Sequence, residues 1–216
     1  IPRLCPGGFI MAPLDAQFAL PSPYESETCH DDAFAGLVCV GQGTQVLTAL
    51  GDRSVETLRA GDMIVTRDHG LRAIRWIGHR ETVATGARAP IRIAPTEAGG
   101  HGILHVSPNH HVLLSGPLAR HICGYDEVLA PAHRLVGQPG ITRAPCASVT
   151  YFHVMLDAHE IIYTEGLATE SFYAHPNTLK ALTPKARAGV FDVFPNLRSH
   201  MGCHGHPARP MIPSQP

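Results

Sequence analysis

At 216 residues, with 44% hydrophobic and 16% charged side chains, the chain has the length and apolar content of one ordinary domain with terminal extensions. Its formal net charge of -1 gives no electrostatic case for nucleic acid or an anionic membrane surface. No apolar run reaches the roughly 18 residues needed to span a bilayer. Charge is uneven along the chain: residues 1–38 hold five acidic side chains against one basic, and residues 177–216 hold five basic against one acidic.

The first segment, residues 1–36, is acidic and broken by Pro2, Pro6, Pro13, Pro21 and Pro23. It reads as a leader with a helical turn suggested only over Ala12 to Leu20. The chain begins with Ile, which fits a fragment or processed product, so a missing signal peptide carries no weight. At Cys39 the pattern changes. A glycine-spaced turn, Gly41-Gln42-Gly43, leads into an alternating strand over Gln45 to Leu50 and a hairpin turn at Gly51-Asp52. A short strand over Ser54 to Leu58 and a second turn at Gly61-Asp62 follow.

Further strands are expected over Met63 to Arg67, Leu71 to Thr82, Ile91 to Ala94, Ile103 to Ser107, His111 to Ser115, Glu127 to Pro131 and Val149 to Thr164. In the run Leu71 to His79, Ile74, Trp76 and Gly78 share one parity, and the sole tryptophan is assigned to packing. The body from residue 37 to 173 is therefore mostly β. Beyond it, residues 174–216 form a basic tail rich in Pro and His. A short helix interrupted at Pro184 is expected over Leu179 to Val193, with the last residues disordered. The six cysteines show no Cys-x-x-Cys pair, which argues against a zinc ribbon and leaves any disulfide pairing open. Compartment stays open too, secretion and the cell surface included.

Three separated blocks carry chemistry. Cys39, at the start of a compact β unit, is a candidate nucleophile toward the carbonyl of Val38. Ser107-Pro108-Asn109-His110 places a hydroxyl and an imidazole three residues apart across a turn that Pro108 stiffens. There the imidazole can bond a scissile nitrogen while the hydroxyl or nearby amides orient the carbonyl. His111 would point to the opposite face if the segment is already extended there. In Tyr151 to Gly166, His153 and His159 are candidates to orient the carbonyl oxygen or deprotonate the Cys39 thiol. The plain alternatives are satisfied core or surface histidines, and a simple hairpin turn at Asp157-Ala158-His159.

In order, type and spacing these blocks resemble the Hint (Hedgehog/intein) autoprocessing domain, in its bacterial subgroup. The resemblance rests on Cys39 with Gly43-Thr44, VETLRAGDMIV from Val55 to Val65, Ser107 to His110, and His159-Glu160-Ile161-Ile162 running to Gly166. It ends on Thr169 to Phe172. It implies an all-β, horseshoe-like Hint fold of pseudo-twofold related β-hairpin units over residues 37–173. It further implies an N-to-S acyl shift and self-cleavage at Val38–Cys39, with Cys39 as nucleophile and His110, in preference to His111, as proton donor to the departing amine. Ser107, His153 and His159 would assist at the carbonyl and thiol.

The substrate would be the chain's own N-terminal flank and the acceptor water or a small nucleophile. The expected agent is a monomer that uses no cofactor and no metal. His153 departs from the family's usual Asp, Ser107 from its Thr, and Glu160 and Glu165 from its Asn residues. Full splicing is not expected, because Asn177 stands in His175-Pro176-Asn177-Thr178 with Pro where His is needed. Two rival readings are a catalytically silent Hint-like structural or interaction module, and a secreted metal-binding β protein using His200, Cys203, His204 and His206.

Overall fold

The structure, a computed structural model, describes residues 38–95, 99–199 and 204–213. The expected leader and its helical turn therefore lie outside the described residues, as do Cys5, Cys29, His200 and Cys203.

The strands in chain order are β1 (Val40–Gly41), β2 (Gln45–Thr48), β3 (Gly51–Ser54), β4 (Met63–Thr66), β5 (Gly70–Ala73), β6 (Trp76–Ala84) and β7 (Ile91–Ile93). They continue with β8 (Leu104–Val106), β9 (His111–Ser115), β10 (Glu127–Pro131), β11 (Ile141–Arg143), β12 (Cys146–Met155), β13 (Ile161–Thr164) and β14 (Leu167–Glu170). Four helices, α1 (Pro117–Cys123), α2 (Pro176–Ala181), α3 (Pro184–Val193) and α4 (Asn196–Ser199), complete the named elements.

Two antiparallel sheets result. One runs β11-β7-β8-β1-β12-β6; the other runs β10-β9-β14-β13-β2-β4-β5, with β3 paired to β2. The chain changes sheet where the alternating runs look continuous. Between Ile74 and Arg75 the backbone partner switches, since Ile74 bonds Asp62 whereas Arg75 bonds Met155. The expected strand Leu71 to Thr82 is thus two strands in different sheets. The run Val149 to Thr164 divides likewise into β12 and β13, so Asp157-Ala158-His159 is a crossing between sheets and not a hairpin turn.

The first hairpin also differs from expectation. Its turn is Ala49-Leu50, because the Thr48 hydroxyl donates to the Gly51 carbonyl at 2.6 Å and Gly51 takes a φ of 95° that suits it to no other residue. The strand expected over Ser54 to Leu58 lies earlier, as β3, and only Ser54 belongs to it; Val55–Thr57 form a 3₁₀ turn.

Alternation along each strand sorts the side chains into layers. Val40, Val106, Phe152 and Val154 point between the sheets into a core shared with Val46, Ile64, Val112 and Ile162. On the opposite face of the six-stranded sheet, Trp76 and Met155 meet Leu179, Leu182, Val190 and Leu197 from the C-terminal helices. On the outer face of the other sheet, Leu113, Leu129, Ile161 and Ala168 meet Ala208 and Met211. Both outer faces are apolar, and the C-terminal segment covers them.

That corrects the expectation of a disordered end for residues 204–213. Arg209 contacts Asp68 at 2.8 Å and Glu127 at 2.6 Å, and the Ile212 N–H donates to Leu129 along the free edge of β10. Prolines deny this segment a local period, but tertiary partners hold it. Upstream, the helix expected over Leu179 to Val193 is α2 and α3. Pro184 sits at the first turn of α3, where its missing N–H costs nothing, and Thr183 caps the helix.

Candidate active site

Register builds the site. In β1, Val40 stands opposite Val106 of β8 and Phe152 of β12. One residue back along β1 and one residue on along its partners, the same rung holds Ser107, Cys39 and His153. Across β12, His153 faces Gly78 of β6. Opposed residues of antiparallel strands share a face, so the three chemistry-bearing side chains meet although they lie far apart in sequence. Cys39 and His153 are 1% and 2% exposed, and Ser107 is buried with them.

The hydrogen bonds divide the Val38–Cys39 peptide between two partners. The Cys39 N–H donates to Ser107 Oγ at 3.0 Å, and the Ser107 N–H donates back to the Cys39 carbonyl at 3.0 Å. His153 Nδ1 lies 3.0 Å from the Val38 carbonyl oxygen. A carbonyl only accepts, so the His153 proton sits on Nδ1 and Nε2 is left as an acceptor. The Cys39 sulfur lies 3.3 Å from Nδ1 and 3.6 Å from Nε2.

An aromatic wall fixes that imidazole. Trp76 stacks on His153 at 6.1 Å between centroids and 26° between planes, and Phe172 meets it edge-on at 5.2 Å. Gly78 makes the stack possible: a Cβ there would stand 2.4 Å from two Trp76 ring atoms. Trp76 packs, as the sequence predicts, and its ring is also a support of the site.

Electrostatics keep the site neutral at rest. Burial pushes the Cys39 thiol well above its ordinary value, with the Ser107 hydroxyl only partly offsetting it. Burial likewise lowers His153 to about 4, opposed by its bond to Val38. The thiol and the imidazole beside it are therefore both uncharged near neutral pH.

His110 occupies the turn between β8 and β9, closed by the bond from its own N–H to the Ser107 carbonyl at 3.0 Å. It is buried, and neither ring nitrogen has a hydrogen-bond partner. The expected bond from His110 to the scissile nitrogen is thus not made; the Ser107 hydroxyl holds that nitrogen instead. Burial lowers His110 to about 4, and Glu170 is the one neighbour pulling it upward.

His159 stands away from the Val38–Cys39 peptide in its bonding. The Ala208 N–H donates to its Nδ1 at 3.1 Å, Tyr173 stacks on it at 4.7 Å, and its Nε2 lies 3.1 Å from Glu170 Oε2. Glu170 also receives the His111 backbone N–H at 2.7 Å and His111 Nδ1 at 2.6 Å. Glu170 carries no role in the sequence reading, although it lies within the Thr169 to Phe172 block. In the turn after β13, Glu165 and Gly166 take φ of 49° and 77°, a backbone shape that an Asn-Gly pair suits best.

Among the described residues no group of three or more His, Cys, Asp or Glu side chains is arranged to hold a metal. His204 of the proposed metal set is otherwise engaged: its Nδ1 accepts from Ala174 N–H at 3.2 Å and its Nε2 donates to the Leu156 carbonyl at 3.1 Å. Asn177 is exposed on the first turn of α2.

A family model described as the Hint domain matches residues 38–176. Among solved structures, the bacterial intein-like domain from Clostridium thermocellum is similar at 15% identity and a TM-score of 0.43, covering 63% of this chain and 99% of that one. A DnaB intein from Synechocystis sp. PCC 6803 is similar at 7% identity and a TM-score of 0.44, covering 62% of this chain and 99% of the other. The MchDnaB-1 intein is similar at 12% identity and a TM-score of 0.41, covering 62% and 99%. Among curated proteins none matches the chain. The match from residue 38 to 176 spans well over half of the sequence and begins one residue before Cys39, so the chain belongs to the Hint-domain family.

Proposed function

We propose that the chain processes itself by an N-to-S acyl shift at Val38–Cys39 followed by cleavage, without full splicing. The carrying observation is the single rung on which Ser107 Oγ meets the scissile nitrogen and His153 meets both the Val38 oxygen and the Cys39 sulfur. The thiol proton passes to His153 Nε2 as the sulfur bonds the Val38 carbonyl carbon. His153 Nδ1–H and its hydrogen bond hold the developing oxyanion.

The carbon–nitrogen bond then breaks. The Cys39 nitrogen leaves as an amine after taking the proton that His153 accepted from the thiol, handed on through the buried His110. A thioester joins Val38 to Cys39. Water or another small nucleophile cleaves it, releasing residues 1–38 and restoring the thiol. The exposed, helix-bound Asn177 supports the expectation that ligation of the flanks does not follow.

A silent Hint scaffold is the second reading. The observation favouring it is burial: Cys39 packs against Tyr151 and against Ala181 of α2, which shields the thiol from an incoming nucleophile. Incubating the chain beside its Cys39→Ala variant and following intact mass separates the two. Loss of residues 1–38 from the native chain alone supports processing, and identical stable masses support the scaffold.

A further inference from the structure

Glu170, in the last position of β14, has no exposed side-chain surface. A buried carboxyl in such a place is normally neutral, because ionising it without water is costly. Its partners here are the reverse of what a neutral acid needs. The His111 backbone N–H donates to Oε1 at 2.7 Å, and the His111 ring Nδ1 lies 2.6 Å from the same oxygen. On the other side the Ala208 N–H occupies His159 Nδ1, which leaves the His159 proton on Nε2, 3.1 Å from Glu170 Oε2 though poorly aligned with it. Two nitrogens within hydrogen-bond distance and a third N–H close by favour the ionised carboxylate over the neutral acid.

His110 is the next residue to His111, is buried with both ring nitrogens unpartnered, and has Glu170, His111, His153 and His159 as its charged or chargeable neighbours. Glu170 is the sole anion among those four. We propose that Glu170 is a positioning residue of the processing site: clamped by His111 and His159, it holds a fixed negative charge beside His110 that lets this imidazole carry the proton taken by the departing Cys39 amine. The inference rests on the self-processing reading above. It also gives residues beyond the family match a part in the site, since Ala208 sets the His159 tautomer that completes the clamp.

The test uses the full chain in two backgrounds. In the Cys39→Ala chain, ring-labelled histidine NMR follows the His110 titration with and without Glu170→Gln. In the Cys39 chain, intact mass follows cleavage of the same pair at neutral pH. The expected result is a His110 midpoint lower by about one pH unit or more in Glu170→Gln, with cleavage slower by a matching factor of roughly ten. An unchanged midpoint overturns the proposal, and so does a lowered midpoint with unchanged cleavage. A native chain that does not cleave at all ends the processing reading itself, whatever the titration gives. Should Glu170→Gln fail to fold, the Glu170 carboxyl carbon of the Cys39→Ala chain decides the matter. An ionised chemical shift maintained at pH 5 is expected, and a protonated one overturns the proposal.

Discussion

His153 Nδ1 stands 3.0 Å from the Val38 carbonyl oxygen, held there by stacking on Trp76 and an edge-on Phe172. In the proposed acyl shift this imidazole serves both the Val38 oxygen that gains charge and, through its other nitrogen, the Cys39 sulfur that loses a proton. His153→Ala is expected to slow cleavage by about 10²-fold or more. His153→Asp, which restores the residue usual in the family, is expected to slow it also. A carboxylate there would be buried in an aromatic wall and repelled by the carbonyl oxygen. Rates measured by intact mass check both, and a faster His153→Asp chain would show that the aromatic wall does not matter.

Ser107 offers a cleaner test, since its hydroxyl accepts from the Cys39 nitrogen at the proposed cleavage bond. Ser107→Ala leaves the Cys39 N–H buried without that acceptor and is expected to cost about tenfold or more in rate. Ser107→Thr keeps the oxygen and is expected to retain cleavage within a few-fold. Equal loss in both variants would point to packing, not hydrogen bonding.

Protonation couples this site to stability. His110 and His153 fall from 6.5 when unfolded to about 4 in the fold, so below 6.5 the unfolded chain binds more protons. Their neutral burial therefore costs nothing above 6.5, and stability is lost as pH drops from 6.5 toward 4, on the order of 3 kcal/mol for each histidine. Glu170 acts in the same direction lower down. Burial pushes it up, His111 and His159 pull it well below its ordinary 4.5, and the stability it contributes is lost beneath that value. Urea midpoints measured from pH 7 to pH 5 should fall steadily; a flat midpoint would contradict the buried neutral imidazoles.

The tryptophan reports on the cover. A Cβ on Gly189 of α3 would stand 2.9 Å from Trp76 Nε1, and one on Gly78 only 2.4 Å from its ring. Gly78→Ala is expected to cost about 1–3 kcal/mol and to push Trp76 off His153, with red-shifted fluorescence and slower cleavage. Gly189→Ala should disturb the docking of α3 with a smaller effect on His153. Because Trp76 is the sole tryptophan, the signal needs no deconvolution.

Much of this candidate site is legible in the sequence, for reasons that particular residues make plain. Cys39 and Ser107 flank short strands and His153 lies within the longer β12, and pairing then aligns the three. Strand bounds at His111 to Ser115 and Glu127 to Pro131 were legible because Gly116 and Ala132 end each run abruptly. Alternation alone could not reveal the sheet changes at Ile74-Arg75 and after Met155, since the period of two continues through a switch of partners. Glu170 stayed hidden because a single acid in a short strand shows no partner; His111 lies 59 residues away. The ordered segment 204–213 was hidden for the same reason, its hold coming from Asp68, Glu127, Leu129 and His159.

One measurement bears on the central claim most directly: treatment of the purified full chain with hydroxylamine, read by intact mass and sequencing of the released fragment. A thioester at Cys39 passes its acyl group to hydroxylamine, so the account predicts a fragment of residues 1–38 ending in a Val38 hydroxamate, absent from the Cys39→Ala chain. A native chain that keeps its full mass over days, from mildly acidic to mildly alkaline pH, would contradict it.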